Sequence, residues 1–290
     1  MYSNVERSTE YINNLLDFLR KEYSFDSIAI TPARRGFFGE TWKVTTTENV
    51  YFVKLDYVAT HQRIYESSFQ VVEHINNHGI DFISKIVKTI KGNLSTYYDG
   101  AVLGVFNWID GENLESNSTK PYEYRMLAKI YTVPTHGAQI PYEDFSGNAD
   151  KFYEQWNALE DKQLLLLLDK NKNKLEHRAK RLNSCSGVCR GNTDDFVITH
   201  GDAGGNLVVN GDKYYIVDWD NPVLAPPERD AWVMCCHHWA RIAFQNALHE
   251  NGIKHTLRPE RLAYYCYDFF FYYLTEYLNT SLQETGFNRV

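Results

Sequence analysis

Apolar residues at Ile12, Leu15, Leu16 and Leu19 recur at helical spacing and predict an amphipathic helix from Ser8 to about Tyr23. The period then shortens. Ser27 to Thr31, Glu40 to Thr46 and Val50 to Asp56 read as three short strands, the first two joined through Arg34-Arg35-Gly36-Phe37-Phe38-Gly39. Helical spacing returns from about Ala59 to Asn77, with Phe69, Val72 and Ile75 forming the inward face. Ala101 to Phe106 is an apolar strand that ends in a turn over Asn107 to Gly111. Beyond residue 112 the chain turns helical, over Pro121 to Val133 and Ala149 to Leu182. A hairpin interrupts it: Leu207-Val208-Val209, a turn at Asn210-Gly211-Asp212, then Tyr214 to Val217. Trp232 to about His249 and Pro259 to Leu278 predict two more helices, the last packed with tyrosine and phenylalanine that read chiefly as core. This order predicts an α+β chain, with a small antiparallel-sheet part over residues 1–108 and a mainly helical part over 109–290.

Composition changes this picture little. No run of about 18 apolar residues occurs, so no membrane span is expected. The five leucines from Leu164 to Leu168 read as a buried helix face. The N-terminus lacks a basic-then-apolar leader pattern, which favours a cytoplasmic protein. Five cysteines in 290 residues do not make a disulfide framework. Cys185 and Cys189 fall in an apparent polar loop. Cys235-Cys236-His237-His238 sits on a predicted helix, where neighbours point about 100° apart and cannot close on one ion. A net charge of −7 argues against nucleic acid as a partner and suits a small cationic one.

Candidate chemistry concentrates around the hairpin. His200-Gly201-Asp202 enters it, Asn206 opens its first strand, and Asp218-Trp219-Asp220 leaves its second. Phosphoryl transfer from a nucleotide needs this set: one carboxylate to take the acceptor hydroxyl's proton, then an amide oxygen and a second carboxylate for magnesium. Magnesium takes only one or two protein oxygens, with phosphates and water completing its shell. Upstream, Lys54 is an isolated cation within the apolar strand Tyr51-Phe52-Val53-Lys54-Leu55 and calls for an anion. The glycine turn with Gly36 and Gly39 offers backbone N–H groups to a polyanion.

Together these residues resemble the aminoglycoside phosphotransferase and choline kinase-like family. The stretch from Asp220 to Asp230 (Asp-Asn-Pro-Val-Leu-Ala-Pro-Pro-Glu-Arg-Asp) is similar to that of its spectinomycin phosphotransferases. The resemblance implies a two-lobed protein-kinase-like fold and phosphoryl transfer from ATP or GTP, with Mg2+, to a hydroxyl of a small molecule. It implies Asp202 as catalytic base and Asn206 and Asp218 as metal ligands. By the same likeness Lys54 pairs with Glu66 over the phosphates, Asn107 C=O and Ile109 N–H meet the base, and Asp230 braces the catalytic loop. The family usually has four residues between the catalytic Asp and the Asn; here there are three, two of them glycine, which could permit a tighter loop. An aminocyclitol or aminoglycoside antibiotic is the implied acceptor. Two alternatives stand beside it: a metabolic kinase of choline, amino alcohol or sugar type, and a catalytically inactive kinase-like binding protein.

Overall fold

A computed structural model describes residues 7–33, 39–114, 116–191 and 193–287, with side chains described for all of these except 27, 28, 60 and 279–287. The turn residues Arg34 to Phe38, including Gly36, therefore lie outside the described residues. Chain contacts divide the protein into two compact units, residues 1–141 with 197–224, and residues 142–196 with 225–290.

The first unit holds helices α1 (Thr9–Tyr23), α2 (Ala59–Asn77) and α3 (Lys120–Ile130). Its strands are β1 (Ser27–Pro32), β2 (Glu40–Thr46), β3 (Val50–Asp56), β4 (Thr96–Tyr98), β5 (Ala101–Asn107), β6 (Glu112–Asn113), β7 (Val197–Thr199), β8 (Leu207–Asn210), β9 (Lys213–Ile216) and, through Val223 and Leu224, β10 (Val223–Ala225). The first five form an antiparallel sheet in the order β1-β2-β3-β5-β4.

Strand alternation gives that sheet two faces. Trp42, Val44, Val53, Leu55, Leu103 and Val105 pack with Leu15 and Leu19 of α1. Ser8 fixes the start of α1 by accepting a bond from Tyr11 N–H. The opposite face carries Val102 and Phe106, against which Tyr65 and Phe69 of α2 pack. Just before that helix, Asp56 accepts from Val58 N–H at 2.7 Å and pairs with His61.

Two glycines permit close approaches. Gly39 has φ +78°, and a Cβ there would lie 2.5 Å from Leu55 O, so Gly39 itself presses directly on β3. A Cβ on Gly104 would lie 2.5 Å from the Phe69 ring, so β5 is bare where α2 is seated.

The hairpin forms as its turn chemistry predicts, with Leu207 opposite Ile216 and Asn210 opposite Lys213. Strand β6 joins β8, and α3 stacks Tyr122 on Tyr214 of β9 at 4.4 Å between centroids. Strand β7 pairs with β10, where Thr199 Oγ1 donates to Val223 O.

The second unit is helical: α4 (Ala149–Ala158), α5 (Lys162–Cys189), α6 (Glu228–Ala231), α7 (His238–Glu250) and α8 (Pro259–Phe287). Phe152 meets Phe271 at 5.4 Å and Phe145 meets Tyr264 at 5.0 Å, so the aromatics of α8 do supply core. Tyr273 and Tyr277 remain exposed. Arg261, 2% exposed, forks onto Asp195, and His255 lies between Asp195 and Glu228.

Several helix boundaries differ from the pattern. The helix predicted over 149–182 is broken after Ala158, because Asp161 caps a new one by accepting from Gln163 and Leu164 N–H. That helix runs on through Cys185 to a buried Cys189, so these cysteines are helical and not in a loop. Leu166 and Leu167 are exposed, and only Leu168 of the five leucines is buried. The helix predicted from Trp232 starts at His238 instead, after a turn in which His237 N–H meets Met234 O at 2.8 Å. Cys235 to His237 thus lie in that turn.

Asp268 of α8 accepts from both Asn148 N–H (2.7 Å) and Asn148 Nδ2 (2.8 Å), anchoring the residue that precedes α4. Burial and the nearby Glu143 push its carboxyl up to about 6, against those bonds and Lys151. A raised carboxyl means that the native state binds the extra proton between about pH 4 and pH 6, so this residue's contribution to stability falls as pH rises through that window. Asn at this position can accept the same two bonds without charge. Asp268→Asn should therefore gain on the wild type by about 1–3 kcal/mol between pH 4.5 and pH 7.5, read from paired urea unfolding curves. A difference independent of pH would refute this account.

Candidate active site

Lys54 lies in the middle of β3, opposite Thr41 of β2 and Gly104 of β5, so its side chain leaves the sheet on the α2 face. That side chain is 9% exposed. An ammonium so deprived of water must be met by anions, and two carboxylates meet it. Lys54 Nζ donates to Asp218 Oδ1 at 2.7 Å and to both oxygens of Asp220 at 2.6 Å.

Both acids come from the short segment after β9. Between them Trp219 turns into the core, donating its indole N–H to Ile216 O at 3.1 Å. The alternation leaves Asp218 and Asp220 on one side. Asp218 adopts φ +63°, a left-handed conformation that costs a non-glycine residue about 1 kcal/mol or more and is least unfavourable for Asn and Asp.

The charges settle unequally. Burial alone would push the Lys54 ammonium down, but Asp218 and Asp220 outweigh it and hold it well above the ordinary lysine value. Desolvation opposes ionisation of Asp218 too, yet Lys54 keeps that carboxyl below its usual range. At Asp220, desolvation and the adjacent Asp218 overcome the pull of Lys54 and push the carboxyl up to about 6.

The loop bearing Asp202 is tied to the same segment. His200 Nδ1 accepts from Asp202 N–H at 3.2 Å while Nε2 donates to Val217 O at 2.9 Å, an arrangement that fixes the ring's tautomer. The ring also meets Trp219 edge-on at 4.5 Å. Asp202 itself is exposed. The three residues that follow it form one 3-10 turn, Ala203–Gly205, closed by Asn206 N–H to Ala203 O. Gly205 has open space at its Cβ position and no left-handed φ, so the short loop does not depend on glycine there.

Asn206 donates Nδ2 to Asp202 O at 2.7 Å, which leaves its amide oxygen outside that bond. Its carbonyl accepts from Val217 N–H at 3.0 Å, so Asn206 lies beside the residue preceding Asp218. Asp202, Asn206, Asp218 and Lys54 are thereby linked through one hydrogen-bonded segment.

Glu66 does not join them. It faces away from Lys54 and accepts from Tyr97 OH at 2.7 Å near the surface. Its neighbour Tyr65 takes the inward position, donating to Asp220 Oδ2 at 2.9 Å with Lys54 Nζ 5.1 Å from its ring centre. The expected pairing of Lys54 with Glu66 is therefore corrected: the helix presents a phenol, and the carboxylates come from beyond β9.

At the end of β5, Asn107 C=O accepts from Ser84 Oγ at 2.7 Å, and Trp108 N–H donates to Val50 O. Ile109 is partly exposed just beyond. An open groove of about 440 Å³ touches this turn, lined by Lys43, Val50, Asn107, Trp108 and Asp110. Two residues that sequence reasoning did not single out brace the Asp202 loop. Lys120 Nζ, paired with Glu123, reaches Gly204 O at 3.3 Å, and Asn113 Nδ2 donates to Gly205 O at 2.5 Å. Asp230 is buried in α6 of the second unit.

Among the described residues, no three His, Cys, Asp or Glu side chains group as a metal cage. A magnesium ion carried by a nucleotide does not require one, and the Asn206 amide oxygen with the Asp218 carboxylate is a hard-oxygen donor pair suited to it. No described helix is long and apolar enough to cross a membrane.

The sequence model described as the phosphotransferase enzyme family matches residues 29–268. Among solved structures, spectinomycin phosphotransferase in complex with ADP and spectinomycin superposes with a TM-score of 0.73 at 19% identity, covering 91% of this chain and 86% of that one. A choline kinase from Streptococcus pneumoniae gives 0.63 at 16% identity, covering 96% and 92%. An amicoumacin kinase in complex with AMP-PNP, Ca2+ and its ligand gives 0.57 at 12% identity, covering 93% and 88%. These likenesses identify the phosphotransferase form of the kinase-like α+β fold. No curated protein sequence matches the chain.

The imidazole of His200 carries two bonds that hold the Asp202 loop to Val217. His200→Ala should lower stability by about 1–3 kcal/mol through the carbonyl and N–H left unpaired, seen as a lower urea midpoint at unchanged slope. An unchanged midpoint would show that the loop is held by its other bonds alone.

Proposed function

The chain belongs to the phosphotransferase enzyme family, and on that premise we propose that it transfers the γ-phosphoryl group of ATP to a hydroxyl of a small, cationic molecule. The observation that supports this reading most is the cluster in which Lys54 meets Asp218 while Asp202 and Asn206 sit on the segment bonded to it.

In this reading residues 1–108 hold the nucleotide and residues 109–290 carry the catalytic loop and the acceptor. The Lys54 ammonium turns to the α- and β-phosphates, and backbone N–H groups around Gly36 and Gly39 cover them. Asn107 C=O and Ile109 N–H bond the base. Phe52, two residues before Lys54 on the same face of β3, offers it an aromatic surface. Asn206 and Asp218 would hold magnesium, which supplies charge neutralisation for the phosphates and the departing oxygen. Asp202, exposed and oriented through His200, accepts the proton of the acceptor hydroxyl as its oxygen attacks the γ-phosphorus, and ADP leaves. Exposure lets the carboxylate reach an incoming substrate.

An aminocyclitol or aminoglycoside is the first acceptor to test. The Asp220 to Asp230 segment resembles that of spectinomycin phosphotransferases, and the net charge of −7 suits a cation. A choline-like amino alcohol is the second, because a choline kinase shares the fold and a cationic substrate would meet the same electrostatics. GTP in place of ATP is distinguished by the same assay. An inactive binding protein fits less well, since the shortened loop still keeps Asn206 bonded to both Asp202 and Val217.

ADP formation should be followed with ATP and with GTP across spectinomycin, aminoglycosides and amino alcohols. Asp202→Ala should retain nucleotide binding and lose about two to four decades of turnover. Near-normal turnover of that variant would remove Asp202 from the catalytic role. Asp218→Asn is the cleaner probe of the metal position, because Asn tolerates φ +63° better than Ala. It should abolish the magnesium-dependent part of the thermal shift produced by ATP while folding normally. A shift equal to the wild type's would place the metal elsewhere.

A further inference from the structure

We propose that Tyr65 and Asp220 together position the Lys54 ammonium, doing the work that a glutamate on α2 would otherwise do. The inference rests on the nucleotide-binding reading given above and adds two residues to it.

Consecutive helical residues point about 100° apart, so Tyr65 and Glu66 cannot both face the sheet. Tyr65 is 4% exposed and lies on the inward stripe with Phe69 and Val72, while Glu66 is spent on Tyr97. The residue that α2 aims at Lys54 is thus uncharged. A phenol cannot balance a buried ammonium, but it can orient a carboxylate that does. Tyr65 OH donates to Asp220 Oδ2 at 2.9 Å, and that same oxygen accepts from Lys54 Nζ at 2.6 Å.

Asp220 therefore stands at the junction of three elements: β3 through Lys54, α2 through Tyr65, and the hairpin through its own backbone. Asp218 bonds Lys54 through one oxygen, whereas Asp220 engages it with both. If Asp218 serves the metal, Asp220 is the carboxylate left to hold Lys54 in register against the phosphates. Tyr65 keeps that carboxylate turned toward the lysine and makes the link sensitive to the seating of α2.

The test compares Tyr65→Phe, Asp220→Asn and Glu66→Ala by calorimetric ATP binding with magnesium, steady-state kinetics and thermal unfolding. Tyr65→Phe removes one hydroxyl from a packed ring and should raise the ATP dissociation constant and KM by about 3–10-fold, with a smaller change in kcat. Asp220→Asn should raise them by about 10–100-fold. Glu66→Ala should remain within about twofold of wild type. Adding Tyr65→Glu to Asp220→Asn returns a carboxylate from the helix side and should recover part of the lost affinity.

A Glu66→Ala variant as impaired as Asp220→Asn would overturn the proposal. So would Tyr65→Phe and Asp220→Asn proteins that bind ATP normally, whatever their melting temperatures. If Asp220→Asn does not fold, Tyr65→Phe decides alone. Wild-type protein that turns over ATP beside unaffected variants would sink this inference and leave the function standing. Wild-type protein that fails to bind any nucleotide would sink both.

Discussion

The cost of keeping one ammonium out of water governs the first unit. Lys54 has little solvent of its own, so the protein must bring oxygen to it, and the oxygen arrives from residues more than 160 positions later in the chain. That requirement couples the register of β3 to the geometry of the segment after β9. Neither could shift by a residue without stranding a charge, since one step along a strand sends the side chain to the opposite face. The left-handed backbone at Asp218 shows the other side of this coupling. The segment accepts local strain in order to deliver both acids to a single point.

Much of the scaffold is written in periodicity. The three early strands, α1, α2 and the hairpin fall where apolar spacing and turn residues put them; α1 and the strands share one buried cluster, α2 packs into a second, and the hairpin buries Leu207 and Ile216. The breaks inside the helical region are harder to read. Asp161 is a recognisable cap, but charged residues that favour helix surround it and mask the interruption. No glycine or proline marks the turn from Trp232 to His237 at all; it is a tertiary arrangement, in which Cys235 is buried between a half-buried Met234 and an exposed Cys236.

The site divides in the same way. Lys54, Asp202, Asn206 and Asp218 announce themselves by residue type and spacing. Their supports do not. Residue type alone favours Glu66 as the partner of a lysine, and only the angular position on α2 shows that Tyr65 faces the sheet. Lys120 and Asn113 hold the Asp202 loop through the carbonyls of Gly204 and Gly205. Every residue has a carbonyl, so such bonds leave no mark in the sequence of the loop they stabilise.

Gly104 extends the same dependence to a position that makes no polar contact with the site. The space where its side chain would stand is filled by the ring of Phe69, one helical turn from Tyr65 on the same stripe of α2. A methyl group added there would lie 2.5 Å from the tip of that ring, so the ring would have to give way beside Tyr65. The packing of the helix stripe that carries Tyr65 thus depends in part on an apolar gap on the neighbouring strand.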